Sequence, residues 1–163
     1  MNEVAIVGPD EGELIDLGPA RIRILEDGGT TQHRLGAAEI TLAPRSPGPP
    51  QHRHARHDEG FYVVRGEAEF TVGTAVHRAP AGTMVTVPPG APHSFANPGD
   101  EPLVMLNTFT PDLYVPYFRD VRAAMGSASA PLSPQTAAEV MSRYGTELST
   151  EYAQPTARPQ PRS

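Results

Sequence analysis

Proline and glycine constrain the fold of this chain more than any other feature of its sequence. The 19 prolines and 15 glycines among 163 residues leave only short apolar runs before residue 110. Because both residues mark turns, the runs between them suit strands better than helices. Strands are predicted at residues 21–25, 38–43, 60–64, 67–72, 83–87, 93–97 and 103–109. This spacing predicts an all-β fold, either a sandwich or a barrel.

The pattern changes after residue 110. Residues 111–126 predict one helix, with Pro116 near its start. Residues 133–145 predict a second helix, capped by Ser133. The apolar residues of the second helix share one face, namely Ala137, Val140, Met141 and Tyr144. We expect both helices to pack against the β-domain or a partner subunit.

These patterns divide the chain into four parts. Residues 1–20 form an N-terminal segment, and residues 21–110 form the β-barrel. Residues 111–147 form a helical extension. Residues 148–163 form a tail that we expect to be disordered, because it is rich in proline and poor in apolar anchors.

Charge and composition exclude several classes of function. The net charge is −6 and no basic block is present, which disfavours nucleic acid and membrane partners. All 13 basic residues are arginine, so a Schiff-base lysine is excluded. The lack of cysteine excludes disulfides, zinc–thiolate sites and a thiol nucleophile. The N-terminus does not resemble a secretory signal, and we expect a cytoplasmic protein.

Residues 52–59, HRHARHDE, contain three histidines and two acidic residues that can bind metals, directly before a predicted strand. His52 and His54 are two residues apart, so a strand would place both on one face. Glu59 has the opposite parity, so residues 55–58 must form a turn, bulge or strand crossing to bring it inward. Further along the chain, Pro89 and Gly90 predict a type II turn, after which His93 opens a strand. A solvated polar loop is the plainer interpretation of residues 52–59.

These two segments together resemble the two motifs of the cupin family. The first motif, G(x)5HxH(x)3–4E(x)6G, is matched at its later positions by His52, His54, Glu59 and Gly66. Its leading glycine is replaced by Ser46, and Gly48 lies two residues later. The second motif, G(x)5PxG(x)2H(x)3N, is matched at every position by Gly82, Pro88, Gly90, His93 and Asn97. The single predicted barrel with two C-terminal helices resembles quercetin-dioxygenase-like monocupins.

The resemblance implies a jelly-roll barrel of six to eight strands that holds one metal ion. Its ligands would be His52, His54, Glu59 and His93. This ligand set suits Fe, Mn, Ni, Co, Cu or Zn and does not choose among them. The remaining motif residues would have structural roles, with Asn97 anchoring a turn. These residues are Gly66, Gly82, Pro88, Gly90 and Asn97.

Strand parity predicts the residues that line a substrate pocket. They are Phe61, Val63, Phe70, Met84, Phe95 and Asn107. Val63 and Phe70 are equally consistent with simple core packing. The set is apolar and has no cluster of cations, so a phosphorylated sugar fits poorly and a neutral aromatic or polyketide-like molecule fits better. His57 is expected to be an exposed turn residue rather than a group that supports the ligands or carries a proton. No site role is predicted for His33 or His77.

Three functions follow from the resemblance. The first is a metal-dependent dioxygenase that consumes O2, in which Glu59 is both ligand and proton acceptor. The second is a non-oxidative cyclase, isomerase or decarboxylase of secondary metabolism that uses the ion as a Lewis acid. The third is a ligand-binding cupin without enzymatic activity. A homodimer is expected, because a jelly roll with an apolar outer face often dimerises.

Overall fold

A computed structural model describes residues 4–126 and 131–149 of the chain. Within these ranges the protein has twelve strands and two helices. The strands are β1 (Glu13–Asp16), β2 (Ala20–Asp27), β3 (Gly36–Leu42), β4 (Ser46–Pro47), β5 (His52–His54), β6 (Asp58–Arg65), β7 (Glu67–Val72), β8 (Ala75–Pro80), β9 (Met84–Val87), β10 (His93–Asn97), β11 (Leu103–Thr110) and β12 (Thr146–Leu148). The helices are α1 (Val115–Met125) and α2 (Pro134–Arg143).

The strands form two antiparallel sheets that enclose the interior. The first sheet has the order β1-β2-β3-β11-β6-β9. The second has the order β12-β5-β10-β7-β8, with β4 paired to β10. The chain crosses between the sheets after β3, β5, β6, β8, β9, β10 and β11, so strands distant in sequence become neighbours. This is a jelly roll with two helices near its C-terminal end, as the sequence predicts.

Alternation along the strands explains where the core lies. In β3 the side chains of Ala38, Ile40 and Leu42 are buried, and the residues between them are partly exposed. In β11 the buried positions are Leu103, Met105, Asn107 and Phe109. An aromatic group fills the space between the sheets, with the ring centroid of Phe61 5.3 Å from that of Phe70 and 5.3 Å from that of Phe95.

The sheets extend beyond the predicted limits of 21–110. Strand β1 pairs with β2, with Ile15 opposite Ile22. Strand β12 lies within the predicted helical extension and pairs with β5, with Thr146 opposite His54. Sequence alone gave no signal for β1, because only Ile15 of its four residues is buried. Strand β8 was also missed, since Ala79 is its one buried residue.

Both predicted helices are present. The Ser133 hydroxyl caps α2 by accepting a hydrogen bond from the Thr136 amide at 3.1 Å. The buried face of α2 is formed by Val140 and Met141. Neither helix in the described ranges is long and apolar enough to cross a membrane. The predicted disordered tail lies outside the described residues from position 150 onward.

Candidate metal centre

Four side chains from three strands meet at one end of the barrel interior. His52 and His54 point inward from β5, and the exposed Arg53 lies between them. Glu59 comes from β6, and His93 opens β10 directly opposite His52. All four side chains are buried, and their potential ligand atoms lie within 4.8 Å of one another. The structure therefore brings together the four residues that the cupin motifs suggest as ligands.

The parity change before Glu59 has a structural cause. Strand β5 ends at His54 in the second sheet, and β6 begins at Asp58 in the first sheet. Residues 55–57 therefore cross from one sheet to the other. Because the two sheets face each other, Glu59 reaches the same space as the histidines from the opposite side.

Backbone carbonyl groups fix the orientation of two imidazoles. The Nδ1 atom of His52 lies 2.9 Å from the Pro50 carbonyl oxygen, and that of His93 lies 3.0 Å from the Ala91 carbonyl oxygen. A carbonyl can only accept, so each Nδ1 carries the proton and each Nε2 presents a lone pair. Such second bonds to metal-binding histidines are usual in metal sites.

With the proton on Nδ1, the distances from the imidazoles to Glu59 show whether the cluster fits a metal ion. Nε2 of His93 lies 3.1 Å from Oε2 of Glu59, and Nε2 of His54 lies 2.7 Å from the same oxygen. A neutral His93 with its proton on Nδ1 would set a lone pair against a carboxylate oxygen. A cation at this point would relieve the repulsion between two acceptors. Three imidazoles and one carboxylate thus fit a divalent transition metal.

Electrostatics favours the protonation states that metal binding needs. Burial would raise the pKa of Glu59, but the His54 and His93 imidazoles beside its carboxylate outweigh it and hold the pKa well below its usual range. Burial and the adjacent His93 lower the pKa of His52 to about 4. At neutral pH the site therefore offers a carboxylate and neutral imidazole at these positions.

Asn107 orients the carboxylate from the neighbouring strand. It lies on β11, and its Nδ2 donates hydrogen bonds to Oε1 of Glu59 at 2.9 Å and to the Gly60 carbonyl at 3.1 Å. Asn107 is 1% exposed and lines the cavity described below. Oε2 of Glu59 is thereby left to face the histidines.

The remaining motif residues support the strands that carry the ligands. The φ angle of Gly90 is +84°, as the predicted turn requires, and its amide donates to the His54 carbonyl at 2.8 Å. The Asn97 amide group donates to three carbonyl groups, and its oxygen accepts from the Gly99 amide. Those three carbonyls belong to Leu42, Ala43 and Glu101. The other motif positions, Gly66, Gly82 and Pro88, lie at turns between strands.

A cavity of about 220 Å³ opens beside His52 and Glu59. Three of the six predicted pocket residues line it, namely Phe61, Phe95 and Asn107. Val63 and Phe70 are buried but do not line this cavity, and they fill the core instead.

Met84 does not line this cavity, contrary to the prediction. Its side chain is 55% exposed. In the register of the first sheet Met84 pairs with Tyr62, whose side chain also points outward, away from the barrel interior.

Many residues of the cavity wall were not predicted from the sequence. The start of α1 contributes Tyr114, Tyr117 and Phe118, whose i, i+3, i+4 spacing was a visible signal. The expectation that the helices pack on the outside did not anticipate this role. The other missed residues come from β2, β3, β4 and the loops beside β2 and β4: Leu17, Pro19, Ala20, Ile22, Ile40, Leu42, Pro47, Gly48 and Pro49.

His57 corrects another expectation, because it is only 1% exposed. Its ring stacks on His54, with centroids 3.9 Å apart and an interplanar angle of 17°. Burial and the neighbouring His54 lower the pKa of His57 to about 4. The residue packs against Phe109 and Tyr114 and forms part of the support behind His54. His33 and His77 are exposed.

Comparisons with known proteins agree with this fold. Residues 38–109 match the cupin domain family. The fold is similar to KdgF from a Halomonas species, with 20% identity, a TM-score of 0.59 and coverage of 67% of this chain and 94% of that one. An RmlC-like cupin from Shewanella frigidimarina shows 25% identity and a TM-score of 0.56, with 68% and 95% coverage.

A third similar structure is Bacillus subtilis oxalate decarboxylase, studied for its Mn(II) centres. It shows 25% identity and a TM-score of 0.54, with coverage of 66% of this chain and 33% of that one. No curated protein sequence matches the chain. Residues 38–109 therefore resemble a cupin domain in sequence, and the fold of the chain is similar to those of the solved cupins.

Proposed function

We propose that this protein is a metal-dependent cupin enzyme that cleaves a small neutral substrate with O2. The observation that carries the proposal is the apolar cavity that opens onto His52 and Glu59 of the four-residue cluster. A buried cluster beside a cavity is the usual arrangement of a catalytic site.

The size of the cavity narrows the substrate class. A cavity of about 150 Å³ is enough to hold benzene, and this one measures about 220 Å³. A single-ring phenol or a short β-dicarbonyl compound fits that space. A three-ring flavonoid is too large for it, so the substrate differs in size from that of a quercetin dioxygenase.

The charge of the cavity wall restricts the class of possible substrates further. Among the described residues that line the cavity, none is arginine, and Glu59 is the one acidic residue. A dianion such as oxalate would meet Glu59 with no cation from the wall to balance it. The likeness to an oxalate decarboxylase therefore supports the fold and a divalent metal such as manganese, but not that substrate.

The proposed chemistry assigns a role to each polar residue. His52, His54, Glu59 and His93 would hold the ion, which when bound would act as a Lewis acid that lowers the pKa of a substrate hydroxyl. Glu59 is the proposed proton acceptor, because it is ionised and faces the cavity. The rings of Tyr114 and Tyr117, stacked at 4.4 Å, exclude water from that side.

A non-oxidative reaction is the second candidate. It is favoured by the oxalate decarboxylase among the similar structures, since decarboxylation is a different outcome of metal-assisted chemistry in the same fold. The same four ligands and the same proton acceptor would serve an isomerase that acts on a neutral enol, or a decarboxylase whose substrate carries a carboxylate.

One experiment separates the two candidates. The protein, purified without a histidine tag and reloaded with one metal at a time, is incubated with single-ring phenols and β-dicarbonyl compounds under air and under nitrogen. The proposal predicts turnover under air with equimolar O2 uptake, and none under nitrogen. Equal rates under both gases would contradict the dioxygenase and favour the non-oxidative enzyme.

A homodimer remains part of the proposal. Three apolar side chains on the outer face of the first sheet are 43%, 52% and 55% exposed, namely Tyr62, Val64 and Met84. Burying this group against a second copy would remove apolar surface from water. Sedimentation of the wild type and of Tyr62→Glu tests this, with a dimer expected for the first and a monomer for the second.

A further inference from the structure

The side chain of Asn107 has one polar atom without a partner. Both hydrogens of its Nδ2 are used, by Oε1 of Glu59 at 2.9 Å and by the Gly60 carbonyl at 3.1 Å. Its Oδ1 is buried and accepts no hydrogen bond in the structure. Because buried acceptors are almost always paired, an unpaired one at a cavity wall calls for a ligand.

The orientation of the Asn107 amide is fixed by its neighbours. The Glu59 carboxylate and the Gly60 carbonyl are both acceptors. Rotating the amide by half a turn would set Oδ1 against two other acceptors and lose both hydrogen bonds. The unpaired atom of this cavity-lining side chain is therefore the oxygen, which can only accept.

The rest of the cavity wall offers little that could pair with this oxygen. Most of the wall is apolar, and Nδ1 of His52 is held by the Pro50 carbonyl. The Glu59 carboxylate is an acceptor, as is Oδ1 itself. Apart from the hydroxyl groups of Tyr114 and Tyr117 and any water, a donor for Asn107 comes from the molecule that fills the cavity.

We infer that Asn107 Oδ1 accepts a hydrogen bond from a hydroxyl or N–H group of the substrate, which makes Asn107 a specificity-determining residue. This inference rests on the proposed function, since it takes the cavity to be the substrate site. The substrate class is thereby narrowed to compounds with two neighbouring polar groups. One is an oxygen for the metal centre, and the other is a donor for Asn107, as in a catechol or an enol with an adjacent hydroxyl.

Methylation of the donor group gives a direct test. Catechol has two hydroxyls, whereas guaiacol keeps one hydroxyl and carries a methyl ether in place of the other. Guaiacol would displace any water at Oδ1 without replacing its hydrogen bond, which lowers affinity. Leaving a buried acceptor unpaired in this way corresponds to a loss of about tenfold or more.

The measurement is a cycle of two ligands and two proteins. Dissociation constants of catechol and guaiacol are measured by calorimetry on zinc-loaded wild type and Asn107→Leu, because zinc has no redox chemistry and no turnover interferes. The ratio of the two constants should fall about tenfold in Asn107→Leu. Any effect of methylation on metal coordination is present in both proteins and cancels in this comparison.

Phe95→Leu is the matched control. Phe95 lines the same cavity but has no polar atom, so this variant should weaken both ligands by similar factors and leave the ratio unchanged. Asn107→Ser is a second variant in case leucine prevents folding. Its shorter side chain should also abolish the preference.

Two results would overturn the inference. One is an unchanged ratio in a folded Asn107 variant, and the other is a wild type that binds neither compound or both equally. The outcome is independent of the reaction itself. An Asn107-dependent preference without O2 uptake would refute only the proposed reaction, and O2 uptake with an Asn107-independent preference would refute only this inference.

Discussion

The barrel interior contains two neighbouring regions that are equally buried but chemically opposite. One is the ligand cluster, defined as His52, His54, Glu59 and His93, and the other is the aromatic core of Phe61, Phe70 and Phe95. The two regions touch, with the ring centroid of Phe61 6.2 Å from that of His93. In the aromatic core, packing alone satisfies every side chain.

The ligand cluster differs because its polar atoms need a cation. Its imidazoles and carboxylate are placed with acceptors close together, so an ion would stabilise the folded state there and nowhere in the aromatic core. Burial alone therefore does not distinguish a packed hydrophobic core from a binding site. Substitutions in the two regions should therefore have different effects on turnover, stability and metal binding.

The largest expected effect is on turnover, in Glu59→Gln. If Glu59 accepts the proton, this variant reloaded with metal should turn over about 10²–10⁴-fold more slowly, while its stability changes little. Single-turnover kinetics at matched metal content is the measurement. Wild-type rates in the reloaded variant would show that Glu59 is a ligand only.

The next largest effect is on stability, in Phe70→Ala. Removal of this ring should lower the free energy of unfolding by about 3–5 kcal/mol. The loss should be the same with and without metal, because Phe70 belongs to the aromatic core. Urea unfolding of both forms checks this, with His52→Ala as the matched variant that should lose mainly the metal-dependent part. A metal-dependent loss in Phe70→Ala would erase the distinction between the two regions.

The third effect is the pH dependence that His52 in the ligand cluster and His57 behind it contribute to stability. The pKa values of His52 and His57 are lowered from 6.5 to about 4 in the folded protein. Between these values the unfolded chain binds more protons than the folded one, so stability of the metal-free protein should fall as pH drops from about 6.5 towards 4.

Thermal unfolding of metal-free protein at pH 7 and pH 5 measures this fall. His57→Phe should keep the stacking on His54 but remove one titrating group, so its melting temperature should depend less on pH. An equal dependence in wild type and His57→Phe would rule out a contribution from His57.

The smallest expected effect is on the outer side of the strand that carries the ligands. Arg53 lies between His52 and His54 but points outward, and its Nε donates to Oε1 of Glu147 at 2.6 Å. Both side chains are largely exposed, so Arg53→Ala should cost less than about 1 kcal/mol and leave metal binding intact. Loss of metal in Arg53→Ala would show that β12 controls the ligand cluster.

The ligand cluster was predictable because its residues carry a sequence signal of spacing and parity. His52 and His54 alternate with an exposed residue, and the interruption before Glu59 marks the crossing between sheets. The seven predicted strands likewise showed clear apolar runs between turn residues.

The features that could not be predicted depend on contacts between distant parts of the chain. Burial of His57 needs Phe109 and Tyr114 on one side and His54 on the other, and no local pattern encodes that arrangement. Met84 was misplaced because parity within β9 does not state which face is inward. The role of α1 in the cavity wall needed the position of the helix against the barrel, which its own periodicity does not give.

Measuring the metal content is the most direct test of the proposed metal centre. Untagged wild type and His93→Ala are each incubated with a mixture of divalent transition metals, desalted and measured by elemental analysis. The account predicts close to one ion per chain in wild type and little in His93→Ala, with His57→Ala close to wild type. A metal-free wild type, or a His93→Ala variant that retains a full ion, would contradict the assignment of His52, His54, Glu59 and His93 as a metal centre.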